Sequence, residues 1–193
     1  MKILVDRLKD TPTAFEFRET ESWRAAAEEL IPELRGPLAA PIEVRLRAHR
    51  MAQDLYVEGR LSGAIELQCG RCLVRYRAPL SEPFRLVLSP AGSRVPAEPE
   101  AAEALARFGM CLGDALETGW FQGYEIDFGG FFREIVTLAI PVQPLCKEQC
   151  KGLCPHCGAD RNADPDIGPC GCREQRPKTA FAVLEALRTR GES

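Results

Sequence analysis

PIEVRLRAHRMAQDLYVEGRLSGAIELQCGRCLVRY, residues 41–76, carries the clearest structural signal in the chain. Ile42, Val44 and Leu46 alternate with Glu43, Arg45 and Arg47. That period of two belongs to a strand with one face buried and the other in water. Leu55, Val57 and Leu61 follow, then Ile65 and Leu67, then Val74 and Tyr76, and further on Phe84, Leu86 and Leu88. These segments predict three to five strands, arranged as an antiparallel meander with one wet face. Cys69 and Cys72 fall in a turn between two of the strands.

The flanks read differently. Residues 20–34 place Trp23, Ala27, Leu30 and Ile31 at helical spacing, with Pro32 near the end. Residues 89–103, SPAGSRVPAEPEAAE, are rich in Pro, Ala and Glu and predict a linker or mobile loop. A short helix is expected over 104–117 and a short strand over 120–126. Asp127 is then placed to cap a helix from about 129 to 139, whose apolar face holds Phe131, Phe132, Ile135, Leu138 and Ala139. Pro141 stops it, and a final helix over 179–190 would bury Phe181, Leu184 and Leu187. The expected fold class is α+β, a small antiparallel sheet with packed helices and a cysteine-rich, zinc-binding C-terminal region. The expected division is a core domain over 1–140 and, over 141–193, the cysteine-rich segment with the last helix.

Of the 193 residues, 45% are hydrophobic, enough to bury a core without a metal to hold it together. The N-terminus has no apolar run of signal-peptide length, and no stretch approaches the 18 apolar residues of a membrane span. The expectation is a cytoplasmic protein. Nine cysteines are an excess for a reducing compartment, where clustered thiols more often bind metal or do redox chemistry than form disulfides.

In order, the cysteines pair off. Cys69 and Cys72 form C-G-R-C, Cys146 and Cys150 are spaced C-x3-C, Cys154 and Cys157 form C-P-H-C-G, and Cys170 and Cys172 form C-G-C. Cys111 is left over, in the helix expected over 104–117. Eight thiols make two tetrahedral zinc sites, so two structural ions are expected. In C-x2-C, both sulfurs reach one ion while the tight turn aims its amides at the thiolates. Pro155 presets φ for that turn and Gly158 frees the backbone after it. The favoured grouping is Cys69, Cys72, Cys146 and Cys150 on one ion, stapling the sheet to the segment after the long helix, with Cys154, Cys157, Cys170 and Cys172 on the other. A rival grouping joins the two C-x2-C knuckles, as in a zinc ribbon.

Other readings stand beside these. A C-x2-C can be a redox dithiol, but Cys69 follows a strand with no βαβ context. Cys111, among Ala, Phe, Met and Leu, reads as a buried small hydrophobe, and His156 and His49 as surface residues. Full sulfur coordination leaves no open metal position, and no nucleotide-binding or hydrolase motif is present, so an enzyme is not expected. The net charge of −3 falls to about −7 with two four-thiolate zinc sites, which excludes a general nucleic-acid coat. A local basic face remains. Arg45 and Arg47 share one strand face, as do Arg75 and Arg77; His49, Arg50, Arg71 and Arg85 lie in the same region, and Lys147, Lys151 and Arg161 could extend the face. It is either a solvated sheet face or an RNA-facing patch.

CGRCL (69–73), FFREIVTLAIPVQPLC (131–146), CKGLCPHCGADRN (150–162) and FAVLEAL (181–187) together resemble the YceD-like family of large ribosomal RNA subunit accumulation proteins. The resemblance runs from about residue 41 onward and is most specific over 135–162. It departs where the family often reads D-P-R and this chain has Arg176-Pro177-Lys178, and where the family often reads C-G-x-N-L-N and this chain has Cys157 to Asn162 as CGADRN. Neither departure removes a cysteine. The resemblance implies a non-enzymatic bacterial ribosome-biogenesis factor, whose partner is large-subunit ribosomal RNA or a pre-ribosomal particle, with no small-molecule substrate. The alternatives are a protein–protein adaptor whose zinc module docks an assembly factor or ribosomal protein, and a thiol oxidoreductase.

Overall fold

Apolar residues at every second position need a partner layer, and the chain supplies it by folding long strands back on themselves. The computed structural model describes residues 1–35, 38–93, 96–113, 117–162, 170 and 172. They fall into two compact units, one of Met1–Gly70 and Val74–Cys146, the other of Arg71–Leu73 with the residues from Lys147 onward. The helix expected over 179–190 lies outside the described residues.

In chain order the first unit contains β1 (Lys2–Leu4), β2 (Thr13–Arg18), α1 (Glu21–Leu30), β3 (Ala40–Met51), β4 (Asp54–Gln68), β5 (Arg75–Pro90), α2 (Pro99–Phe108), β6 (Met110–Leu112), β7 (Thr118–Phe121), β8 (Glu125–Asp127) and α3 (Gly129–Ala139). The main sheet has six strands in the order β2-β3-β4-β5-β7-β6, and β1 pairs with β8 in a separate ribbon. The first four strands form the expected antiparallel meander. β7 adds in parallel to the end of β5 over Val87–Pro90, and β6 closes the edge.

The sheet is larger than the small one expected. β4 and β5 have 15 and 16 residues and stay in one register from Leu55↔Leu88 to Gln68↔Arg75. Proline is disfavoured inside strands, yet β5 runs through both Pro79 and Pro83. They occupy the stretch of β5 that pairs only with β4, so the missing N–H groups fall on an open edge. Gly59 and Gly63 do not end β4 either. A Cβ at Gly59 would lie 2.4 Å from the Arg45 carbonyl oxygen and 2.7 Å from Leu46 Cβ, so the close approach of β3 and β4 requires glycine there. Gly59→Ala should therefore cost about 1–3 kcal/mol, the range for overpacking. A urea titration should show a lower midpoint at unchanged slope; an unshifted midpoint would contradict the packing argument.

One sheet face is dry. Ile42, Val44, Leu46 and Ala48 of β3, Leu55, Val57, Leu61, Ile65 and Leu67 of β4, and Leu86 and Leu88 of β5 are buried in one core. Two helices join that core. α1 buries Trp23 and Ala27 but leaves Leu30 exposed. Thr20 accepts a hydrogen bond from the Trp23 amide (3.2 Å) as its N-cap, and Trp23 Nε1–H donates to the Gly129 carbonyl (2.9 Å). α3 starts and ends where the sequence placed it. Asp127 accepts the Gly129 amide (2.8 Å) from one residue before the N-cap, Phe128. Its buried stripe is Phe132 and Val136, an i, i+4 pair, while Leu138 points outward at 78% exposure.

The region after β5 departs furthest from expectation. α2 begins at Pro99 and ends at Phe108, where Gly109 takes φ +72° and its N–H caps the Leu105 carbonyl at 3.0 Å. The irregular connection is thus shorter than 89–103, and the helix does not extend over 104–117. Cys111 lies on β6 rather than in a helix. It is buried against Ala91 and Leu105, as its apolar surroundings suggested, and burial pushes its thiol pKa up.

Candidate metal centres and basic face

At the end of β4 the chain turns tightly: the Cys69 amide donates to the Val74 carbonyl (2.9 Å), and Leu73 takes φ +62°. Cys69 is fully buried. The Gly70 amide donates to the Pro144 carbonyl (2.8 Å), drawing the segment that leads into Cys146 alongside the turn. Tyr76 stands next to both thiols. Burial raises its pKa first, and the negative charge of Cys69 and Cys146 raises it further, against a backbone hydrogen bond from Leu145.

In the second unit, the Arg71 carbonyl accepts the Leu153 amide (3.1 Å) and its guanidinium donates to the Cys150 carbonyl (2.9 Å). Cys150 is buried, and the Asn162 side-chain amide donates to its sulfur at 3.4 Å. Asn162 is itself fixed, donating to Asp160 Oδ1 (2.8 Å) and accepting the Lys151 amide (2.8 Å). An N–H aimed at a ligating sulfur holds the thiolate in place and steadies its charge.

The knuckle after it is built as its spacing predicted. The Cys154 amide donates to the Ala159 carbonyl (2.8 Å), the Gly158 amide donates back to the Cys154 carbonyl (2.9 Å), and Gly158 takes φ +72°. The amides of Cys157 and His156 pull the Cys154 thiol down to about 6, with the Cys170 thiol adding to the effect. The Cys172 thiol is pushed up to about 12, chiefly by its hydrogen bond with Cys157, and Cys170 is raised chiefly by Cys154. One thiolate forms readily here, while those of Cys170 and Cys172 are opposed by their neighbours. A cation in the middle removes that opposition.

The sulfurs of Cys69, Cys72, Cys146 and Cys150 all lie within 4.8 Å of one another, and so do those of Cys154, Cys157, Cys170 and Cys172. Four thiolates about 2.3 Å from one ion stand roughly 3.8 Å apart at tetrahedral geometry, so both groups could hold a metal ion with little movement. Their surroundings differ. In the first group only Cys146 is partly exposed, whereas Cys157 and Cys172 of the second face solvent. His156 is exposed and belongs to neither group.

The wet sheet face carries the arginines. Arg45 lies directly opposite Arg60, Arg47 opposite Glu58, and Glu58 opposite Arg85. Arg45, Arg47, Arg60 and Arg85 line a surface concavity of about 680 Å³, together with Glu16 and Glu58. Arg45 pairs with Glu16 at 3.4 Å, and Arg60 donates to the Ser81 hydroxyl at 2.9 Å. Arg75 and Arg77 have the same strand parity but sit at the far end of β5. There Arg75 pairs with Glu66 at 2.9 Å, and Arg77 lies opposite Glu66. The expected patch is therefore two patches. Arg50 turns toward the core side, where its Nε is buried and lacks a hydrogen bond. Lys147 and Lys151 are exposed in the second unit.

The sequence model of the family described as large ribosomal RNA subunit accumulation protein YceD matches residues 57–188. This chain belongs to that family. It is 25% identical over 171 residues to the chloroplastic large ribosomal RNA subunit accumulation protein YCED homolog 1 of Arabidopsis thaliana, covering 79% of this chain and half of that protein. It is 27% identical over 167 residues to an uncharacterized protein of Mycobacterium tuberculosis, covering 86% of this chain and 72% of that one. An uncharacterized protein of Mycobacterium leprae is 23% identical over 126 residues, covering 65% of this chain and 52% of that one. No solved structure matches the chain. No described helix is long and apolar enough to cross a membrane.

Sequence reasoning missed three residues here. Arg60 could have been found, because Glu58 and Arg60 continue the period of two along β4. Tyr76 and Asn162 carry no local signal for their places beside the sulfurs, since each is set by a tertiary contact.

Proposed function

We propose that this chain is a non-enzymatic factor that supports accumulation of large-subunit ribosomal RNA, held in shape by two structural zinc ions. The observation that carries the reading is the family match over 57–188, which spans every cysteine of the two groups. Zinc is the metal that sulfur-only tetrahedral sites favour. Cys69, Cys72, Cys146 and Cys150 would hold one ion, and Cys154, Cys157, Cys170 and Cys172 the other. Four sulfurs per ion leave no position for water or substrate, which favours a staple over a catalyst. Arg45 and Arg47, with Arg75, Arg77, Lys147 and Lys151, are the proposed RNA-facing cations, and the proposed compartment is the cytoplasm. Depleting the protein in its source cell should lower large-subunit RNA relative to small-subunit RNA, read by quantitative electrophoresis of total RNA. An unchanged ratio would sink the proposal.

An adaptor role is the second reading, favoured by Leu138 and Val142, which stand exposed at and just beyond the end of α3. If the chain works only by docking a protein, charge reversal of Arg45 and Arg47 should leave the RNA ratio intact.

A further inference from the structure

The wet face of the main sheet is ordered by its register into rows. Glu16, Arg45, Arg60 and Pro83 lie side by side across β2 to β5. Two residues along, the next row is Ala14, Arg47, Glu58 and Arg85, and the one after it places His49, Tyr56 and Val87 across β3 to β5. Between the first two rows runs Phe15, Leu46, Gly59 and Phe84, of which the two phenylalanines and Leu46 turn their side chains to the core side. The 680 Å³ concavity thus has sheet backbone for its floor and arginines on both sides. One row beyond the residues that line it, the His49 and Tyr56 rings are stacked at 5.4 Å with a 23° interplanar angle. Rows two residues apart are separated by about 6.6 Å, so the ring pair is one row from Arg47 and Arg85.

We propose that this groove binds single-stranded RNA, with Arg47, Arg60 and Arg85 on the phosphates and the Tyr56–His49 pair stacking on an unpaired base. This rests on the RNA-directed reading above and names the form of RNA it engages. Four features favour this reading, and the first of them favours a single strand over a duplex. A stacking platform set in a sheet can use only a base whose ring face is free, and a helix offers such faces only at its ends. Arg47 and Arg85 make no ion pair or hydrogen bond among the described residues, so their guanidiniums are available to phosphate. Arg45 is tied to Glu16 only through a solvent-exposed pair, which is worth little. Glu58, opposite both Arg47 and Arg85, supplies an acceptor that phosphate cannot use but a base amino group can.

The test is fluorescence anisotropy on the zinc-loaded full chain, using a labelled 12-nucleotide RNA of mixed sequence, alone and annealed to its complement. The single strand should bind at least about tenfold tighter than the duplex. Tyr56→Leu should weaken single-strand binding by about tenfold, the scale of one base–aromatic stack, while circular dichroism and zinc content stay unchanged. Arg47→Gln with Arg85→Gln should flatten the logarithmic salt dependence by about 1.4, at roughly 0.7 per lost phosphate contact. Arg107→Gln, on α2, should change affinity by less than about twofold. Duplex binding as tight as single-strand binding would overturn the inference. So would variants that bind like the parent, or an Arg107 effect equal to the groove variants. Absence of single-strand binding by folded, zinc-loaded protein would also overturn it. The RNA ratio on depletion reads the broader proposal separately. A fallen ratio without single-strand binding keeps the function and removes the groove. Groove-dependent binding with an unchanged ratio does the reverse.

Discussion

Cys69→Ser should lower the zinc content from two ions per chain to one and destabilise the fold by several kcal/mol. The sulfur of Cys69 is fully buried, Cys150 nearly so, and the other two members of the group are within 4.8 Å of both. Removing one ligand leaves three thiols that must either hold the ion poorly or stay protonated in a dry site. Binding of a structural zinc contributes about 10–16 kcal/mol in small zinc-dependent peptides, so even partial loss is large against a total stability of about 5–15 kcal/mol. Cys157→Ser should also remove one ion, with a smaller stability loss, because that group is open to solvent on two sides. Cys111→Ser should keep both ions. Metal content by mass spectrometry on protein purified without chelator, paired with thermal melts, reads all three. The doubly substituted Cys69→Ser, Cys150→Ser protein separates the groupings. It should retain one ion if the two groups are as proposed, and none if the C-x2-C knuckles share an ion and Cys146 and Cys150 complete the other. Two ions in the Cys69→Ser protein would contradict the assignment outright.

Phe132→Ala should cost about 3–5 kcal/mol, the range for deleting a buried aromatic side chain. Phe132 has no exposed surface and is where the core aromatics meet. Its ring lies 5.6 Å from Phe84 on β5, 5.9 Å from Phe128, 5.7 Å from Phe131 and 6.5 Å from Phe17 on β2. No side chain can collapse into the vacated volume without breaking several of those contacts at once, so the cavity persists. The melting temperature should fall by roughly 10 °C or more in a chain of this size. Phe132→Leu, which keeps most of the volume, should lose much less. Leu138→Ala, three-quarters exposed on the other side of α3, should be close to neutral. A Phe132→Ala loss below about 1 kcal/mol by urea titration would mean that α3 is not anchored through this ring.

The sequence alone determined the features that depend on neighbours along the chain. Alternation placed the core residues of β3, β4 and β5 on one face, since side chains of a strand point to opposite sides whatever it pairs with. Asp127 and the apolar spacing after it located α3, and the pairs at C-x2-C and C-x3-C marked the thiols, because a tight turn is a local event. Local reading failed where the deciding atoms were remote. Pro79, Pro83 and Gly59 are residues that strand interiors disfavour, yet all three lie inside β4 or β5. An open edge makes the prolines harmless, and a neighbouring strand too close for a Cβ requires the glycine. Local reading ran a helix through Gly109, whose left-handed backbone ends α2. It also counted Arg75 and Arg77 with Arg45 and Arg47, because parity says which face a residue takes but not how far along the sheet it lies. Only the tertiary structure brought Cys146 beside Cys69, aimed Asn162 at Cys150, and set Arg60 across from Arg45. Those meetings join residues far apart in the chain. They depend on strand register and on where segments return, and neither leaves a periodic trace in the sequence.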